Sequence, residues 1–437
     1  MNSPEAPTQG LAVRRLAPLL LRSCVDRKIT VEEAIASNRE AQGLEPRDRA
    51  LLATLLLTAF RHRGEINAIL ARLLDRPLPR KSGPAREILE IGVVQLLFLG
   101  MAAHAVIDLS VRAAKEDRNA MHFSGLVNAV LRKVANGGDA LRKGLDASRL
   151  NTPDWLWSRW VRTYGEETAR RIGVAHGNRP ALDLSFKQDV SAWEGLLGGE
   201  RLPNDQLRLP PSHAPVPELP GFAQGAWWIQ DAAATVPVKL LGDVRQKSVL
   251  DLCAAPGGKT LQLAAAGASV TAIDISEHRL SQLSENLLRT GLSAEIRVQD
   301  VFSAELAGAW DAVVLDAPCS ATGTIRRHPE LPWLKDEAQV KDLAGLQRRM
   351  LRKAAKLVKS GGTLVYCTCS LEPEEGEIRV RGFLADHPEF EILPAMGGWL
   401  PGGSVQPEGW VRTLPFMPYG PSQGMDGFFA VAMRRRC

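Results

Sequence analysis

Cysteine is scarce in this 437-residue chain, which has six: Cys24, Cys253, Cys319, Cys367, Cys369 and Cys437. Six unevenly spaced thiols are too few for a disulfide framework at this length, so reduced cysteines are expected. Long apolar runs are missing too. The stretches at 51–60 and 88–100 are interrupted or too short to cross a bilayer, which excludes a membrane-spanning helix and a membrane partner. The first ten residues carry no basic region ahead of an apolar one, so no secretion signal is expected and a cytoplasmic location is. No repeat of fixed period and no long low-complexity tract is found. Strong net charge is lacking as well, at +5 overall.

What is present describes a globular chain. A content of 45% hydrophobic and 24% charged residues, at this length, leaves room for two or three cores. The charge is uneven. Residues 1–150 hold 23 Lys/Arg against 16 Asp/Glu, whereas the remainder holds 31 against 33. A basic surplus of this kind helps to hold a polyanion, although a solvated basic face explains it equally well.

Three stretches differ in pattern. Apolar residues recur at helical spacing in blocks at 12–24, 46–74, 85–99 and 124–134, which predicts an all-helical domain over residues 1–145. Residues 146–225 crowd Trp155, Trp157 and Trp160 into one helix-like stretch and then become rich in proline and glycine. We expect a small connecting module there. From 226 to 437, short β-rich runs at 248–252, 269–273, 296–298, 312–315 and 363–366 alternate with helical stretches such as 280–290 and 343–359. This alternation predicts an α/β domain with a mostly parallel, doubly wound sheet.

The chemistry-bearing motifs fall at the ends of those strands. Asp251-Leu252-Cys253-Ala254-Ala255-Pro256-Gly257-Gly258-Lys259-Thr260 follows a strand and opens a helix, a place where small residues let backbone approach a nucleotide-type ligand. A phosphate-binding P-loop is disfavoured, because the glycine that it needs five positions before Gly258 is Cys253; the G-x-G-x-x-G fingerprint is absent too. Asp274 ends the second strand, where an acid accepts hydrogen bonds from ribose hydroxyls, and Asp300 follows the third. Each alone reads most simply as a turn or cap residue. The fourth strand runs into Asp316-Ala317-Pro318-Cys319-Ser320-Ala321-Thr322-Gly323-Thr324, and a later one into Tyr366-Cys367-Thr368-Cys369-Ser370. Cysteines at the carboxyl ends of two parallel strands stand over the ligand crevice of such a fold. Metal binding is disfavoured, because no paired C-x-x-C spacing occurs and no histidine is near. Arg326, Arg327 and His328 suit either a grip on phosphates or a solvated loop, and Asp426-Gly427-Phe428-Phe429-Ala430-Val431 reads as a final core strand.

Taken together, the segments DLCAAPGGKT, DAPCSATGT and YCTCSLEPEEGE resemble the RNA cytosine-5 methyltransferase family. The segments RDRALLATLLLTAFRHRGEINAIL and FSGLVNAVLRKV are similar to the NusB-like RNA-binding helical domain fused to the bacterial 16S ribosomal RNA branch of that family. The resemblance implies a Rossmann-like methyltransferase domain and S-adenosylmethionine as cofactor. It also implies a single-stranded or loop cytosine of 16S ribosomal RNA as target, and a monomer as the working form. It implies that Cys253, Ala254, Ala255, Pro256, Gly257, Gly258 and Lys259 line the cofactor with Asp274, Asp300 and Asp316. Cys369 would be the nucleophile, Cys319 would assist product release and Asp316 would orient the cytosine. The residues by themselves leave Cys319 equally plausible as nucleophile. Methylation of transfer RNA or another RNA stays open, as does a non-catalytic NusB-like RNA-binding or antitermination factor, which would not require the two cysteines. A DNA methyltransferase is disfavoured by the basic helical domain.

Overall fold

A computed structural model describes residues 10–79, 81–211, 213–303, 306, 308–420 and 424–437. The chain divides into two compact units, residues 1–177 with 328–336, and residues 178–327 with 337–437.

The first unit is helical. Its principal helices are Leu11–Arg27, Pro46–Arg61, Arg63–Leu73, Ala85–Val93, Ala103–Glu116 and Ser124–Gly137. Their apolar positions recur every three or four residues, and one stripe of each is buried: Leu16, Leu20 and Cys24 on the first, Leu52, Leu55, Leu56 and Phe60 on the second. At about 1.5–3 kcal/mol for each large side chain removed from water, this core is the main stabilising element of the unit. The sequence pattern missed the helix Ala103–Glu116, whose buried face of Val106, Ser110, Ala113 and Ala114 consists mostly of small residues. The tryptophan-rich stretch forms the helix Asp154–Tyr164, and Trp155 donates its indole N–H to the Pro332 carbonyl at 3.2 Å. Leu334 joins the same helical core.

The second unit holds two sheets. The smaller contains β1 (Leu182–Phe186), β2 (Glu200–Arg201), β3 (Leu207–Leu209) and β4 (Trp227–Ile229) in the order β2-β3-β1-β4, all antiparallel. A buried ion pair joins β1 to β3, with Arg208 donating to both carboxylate oxygens of Asp183 at 2.6 and 2.8 Å. β1, β2 and β3 lie in the stretch expected only to connect, and β4 lies just beyond it, at the start of the stretch expected to form the α/β domain.

The larger sheet has eight strands: β5 (Ser248–Leu252), β6 (Ser269–Asp274), β7 (Glu295–Val298), β8 (Trp310–Asp316), β9 (Val358–Thr368), β10 (Phe390–Leu393), β11 (Val411–Thr413) and β12 (Phe428–Arg435). The order is β10-β12-β9-β8-β5-β6-β7, with β11 beside β12. β7, β6, β5, β8 and β9 run parallel, and β12 returns antiparallel against β9. The expected parallel Rossmann-like core is present, and its antiparallel edge makes the whole sheet mixed. Chain order reverses at β5, whose sequence successors lie on opposite sides of it. In such sheets the crevice above the carboxyl ends at the reversal point takes the ligand.

Candidate active site

The turn after β5 is shaped by backbone. Cys253 adopts φ 62° and Gly257 φ 109°. A Cβ on Gly257 would lie 2.4 Å from Leu283 Cδ1, so the close approach of turn and helix needs glycine. Gly257 caps the helix Gly258–Ala265, whose Thr260 hydroxyl donates at 2.6 Å to the fully buried Asp251. Burial pushes the Asp251 carboxyl up to about 7.

Asp274, at the tip of β6, accepts from the Ala255 and Ser276 amides at 3.2 and 2.9 Å. Its carboxylate therefore locks the β5 turn to the start of the next helix. Asp300 lies two residues beyond β7, is exposed, and accepts from the Phe302 amide at 2.9 Å. It thus makes the local bond expected of a turn residue.

Lys259 meets Asp316 across the site. The ammonium donates to Asp316 Oδ2 at 2.6 Å and sits 5.3 Å from the centre of the Phe428 ring. Burial by itself would lower the Lys259 pKa, but the neighbouring Asp316 carboxylate outweighs it and holds the group above its ordinary value. The other Asp316 oxygen accepts from the Cys367 thiol at 3.5 Å. Cys367 is fully buried, and burial raises its pKa well above the usual value, which makes it an inert thiol.

Cys319 and Cys369 face each other at the ends of the adjacent parallel strands β8 and β9, with their sulfurs 3.5 Å apart. Both are partly exposed. The hydrogen bond to Cys369, followed by burial, raises the Cys319 pKa well above the ordinary thiol value. The loops carrying these cysteines are pinned at close range. The Gly323 amide donates to the Cys369 carbonyl at 3.0 Å, and the Gly427 amide to the Gly323 carbonyl at 2.8 Å. A Cβ on Gly323 would fall 1.8 Å from the Gly427 carbonyl oxygen, so no larger residue fits this crossing.

Of the three basic residues after the fourth-strand motif, Arg326 is buried in an ion cluster with Asp231 at 3.2 Å and Asp426 at 3.6 Å. It belongs to neither a phosphate grip nor a solvated loop. Arg327 pairs with Asp426 at 2.5 Å yet keeps two-fifths of its side chain exposed. His328 falls in the helical unit. Asp426, expected only as part of a core strand, precedes β12 and anchors both arginines. Among the described residues, no group of three or more His, Cys, Asp or Glu side chains is placed to hold a metal ion.

Sequence reasoning also passed over Glu375, Gln347 and Arg412. Arg412 is buried, pairs with Glu377 at 2.8 Å and donates to the Ser370 carbonyl beside Cys369. The acid-rich run after Cys369 was the only signal available for any of the three.

Comparison with known proteins places this geometry in a family. Residues 238–434 match the model of the 16S rRNA methyltransferase RsmB/F family, and residues 11–136 match the NusB family. The chain is 35% identical over 401 residues to ribosomal RNA small subunit methyltransferase B of Cronobacter sakazakii, covering 88% of this chain and 90% of the relative. It is 32% identical over 445 residues to the protein of that name from Klebsiella pneumoniae, covering 98% and 99%. Among solved structures, PH0851 superposes with a TM-score of 0.75 at 24% identity over 98% of this chain and 99% of that one, a likeness of fold. A methyltransferase homolog protein from Pyrococcus horikoshii gives a TM-score of 0.53 at 28% identity over 64% of this chain and 93% of that one. With a NusB-like helical unit, a Rossmann-like methyltransferase unit and relatives above 30% identity across most of its length, this chain belongs to the RsmB/F family of 16S ribosomal RNA methyltransferases.

Proposed function

We propose that this protein methylates carbon 5 of a cytosine in 16S ribosomal RNA, using S-adenosylmethionine and a transient covalent bond from Cys369 to the base. The observation that carries the reading is the sulfur pair: two partly exposed cysteines 3.5 Å apart on adjacent strand ends, next to the Lys259–Asp316 ion pair. The names of the relatives, ribosomal RNA small subunit methyltransferase B, support the substrate.

The β5 turn and its neighbours fit the cofactor. A glycine turn that admits no side chain, the Asp274 carboxylate at the tip of β6 and Asp300 beyond β7 suit a nucleoside with ribose hydroxyls. S-adenosylmethionine supplies an electrophilic methyl group on a sulfonium. Carbon 5 of cytosine is too weak a nucleophile to take it unaided. The Cys369 thiolate adds to carbon 6, forming an S–C6 bond and moving the C5–C6 π electrons so that carbon 5 becomes nucleophilic. Asp316, held by Lys259 as a carboxylate, accepts a hydrogen bond from nitrogen 3 of the pyrimidine once that atom has taken up a proton in the adduct, a proton returned on release, and so favours the adduct. Carbon 5 then takes the methyl group as the methyl–sulfonium bond breaks and leaves a neutral thioether, and it passes its proton to a solvent base. The electrons of that C–H bond restore the C5–C6 double bond and expel the Cys369 thiolate, a step that Cys319 assists. The base must leave any stack for this attack on its face, which favours a single-stranded or loop cytosine.

Methyl transfer from labelled S-adenosylmethionine to unmodified 16S ribosomal RNA, with the modified nucleotide mapped, tests the reading. Label on carbon 5 of one cytosine is the expected result. Absence of label on this RNA, with transfer to another RNA, would refute the substrate assignment.

A further inference from the structure

Between the two cysteine loops lies a carboxylate for which the mechanism above has no use. Glu375 is fully buried. One of its oxygens accepts from the Ser320 amide at 2.9 Å and from Gln347 Nε2 at 3.0 Å. The other accepts from the hydroxyls of Ser320 and Ser370, which also lie 3.1 Å from each other. Ser320 follows Cys319, and Ser370 follows Cys369. One carboxylate therefore grips the residue next to each cysteine.

The grip is itself braced. The Glu375 carbonyl accepts from the Tyr366 hydroxyl at 2.8 Å and from Thr368 Oγ1 at 3.2 Å, both on β9. Gln347, on the helix Glu337–Ala355, donates to the Pro318 carbonyl at 2.9 Å as well as to Glu375. No cation within ion-pair distance of the Glu375 carboxylate is found among the described residues. A buried carboxylate held only by neutral donors depends on every one of them, because losing any leaves negative charge poorly solvated. Its four acceptor contacts all point to the two loops or to the helix that backs them. A simple core residue of this size would serve packing better without a charge.

We propose that Glu375 is the positioning residue of the two-cysteine centre: its carboxylate ties the Cys319 loop to the Cys369 loop and sets the sulfur pair for product release. This rests on the covalent reading above. Attack on carbon 6 needs only Cys369 and a bound base, so it tolerates some loosening of the Cys319 loop. Release needs both sulfurs in register. Glu375→Gln keeps the shape but turns one acceptor into a donor, so the Ser320 and Ser370 hydroxyls must turn to accept and no longer have a shared carboxylate oxygen to donate to. The first turnover of methyl transfer then survives while steady-state turnover slows. The fraction of enzyme covalently joined to RNA rises by about tenfold, the factor that one hydrogen bond to a charged group is worth.

The experiment compares wild type, Glu375→Gln, Ser320→Ala and Cys319→Ala in denaturing-gel quantification of the protein–RNA adduct, alongside thermal denaturation and S-adenosylmethionine binding. Ser320→Ala removes one hydroxyl from the carboxylate and leaves Glu375 in place, so it decides the matter if Glu375→Gln fails to fold. Expected are adduct accumulation in both variants, larger in Glu375→Gln, with cofactor binding unchanged. Adduct at the wild-type level, or adduct and first-turnover methylation falling together with thermal stability, would overturn the positioning role. Cys319→Ala separates the two levels: if it traps RNA and the Glu375 and Ser320 variants do not, the positioning role alone fails. If Cys319→Ala traps nothing, the covalent reading fails and takes the positioning role with it.

Discussion

Individual side chains in the site are set by environments that the chain itself builds. Asp251 is the clearest, since burial lifts it from an ordinary value of 3.8 to about 7. A folded value above the unfolded one means that the stabilising contribution of the protonated form is complete below about pH 4 and is lost as pH rises through about 7. Wild-type melting temperature should therefore fall from about pH 4 to pH 7 relative to Asp251→Asn, which has nothing to ionise, and run level with it above that. Parallel melting curves for the two proteins across that range would contradict this. At Asp316, the Asn substitution leaves the buried Lys259 ammonium without its carboxylate. We expect kcat to drop by about 10²–10³, in line with the loss of one preorganised electrostatic group. A loss of only a few fold in steady-state methylation would show that Asp316 does not act on the reacting base.

Strands, turns and helices carry these residues to one sheet edge, and here the limits of sequence reading become plain. Strands β5, β6 and β8 were legible because each is a short, mostly apolar run with an acid at or next to its carboxyl end, a pattern that two-sided burial of the strand produces. β1 to β4 were not. They are two to five residues long, stand among prolines and glycines, and are stabilised by contacts such as Arg208–Asp183 that span 25 residues. The turn after β5 and both cysteines announced themselves as motifs. Glu375, Gln347 and Arg412 did not, because a hydrogen bond between segments 28 or more residues apart leaves no local pattern. Gly323 was visible as part of a motif, but only its crossing with Gly427 gives the reason. Gly323→Ala forces that crossing apart and should cost about 1–3 kcal/mol or more, with methylation lost beyond what the fall in stability explains. Chemical denaturation together with activity at a temperature well below the midpoint checks this; full activity and an unchanged midpoint would contradict it.

At the scale of the whole molecule, the chain is not two beads in succession. It leaves the methyltransferase unit after Arg327, contributes residues 328–336 to the helical unit, and returns at Glu337. That excursion is anchored by Leu334 in the helical core, by the Trp333 indole donating to the Phe60 carbonyl at 3.1 Å and by Lys28 pairing with Asp336 at 3.0 Å. Leu334→Ala should destabilise the helical unit by about 2–4 kcal/mol through the cavity that it leaves. A thermal transition indistinguishable from wild type would mean that the segment is not part of that core. The most direct test of the whole account is the fate of the RNA in two single variants, measured as labelled methyl transferred and as covalent protein–RNA adduct. The account predicts that Cys369→Ala abolishes both methylation and adduct, while Cys319→Ala accumulates adduct. Loss of adduct in Cys319→Ala, with RNA trapped by Cys369→Ala, would contradict it and exchange the roles of the two sulfurs.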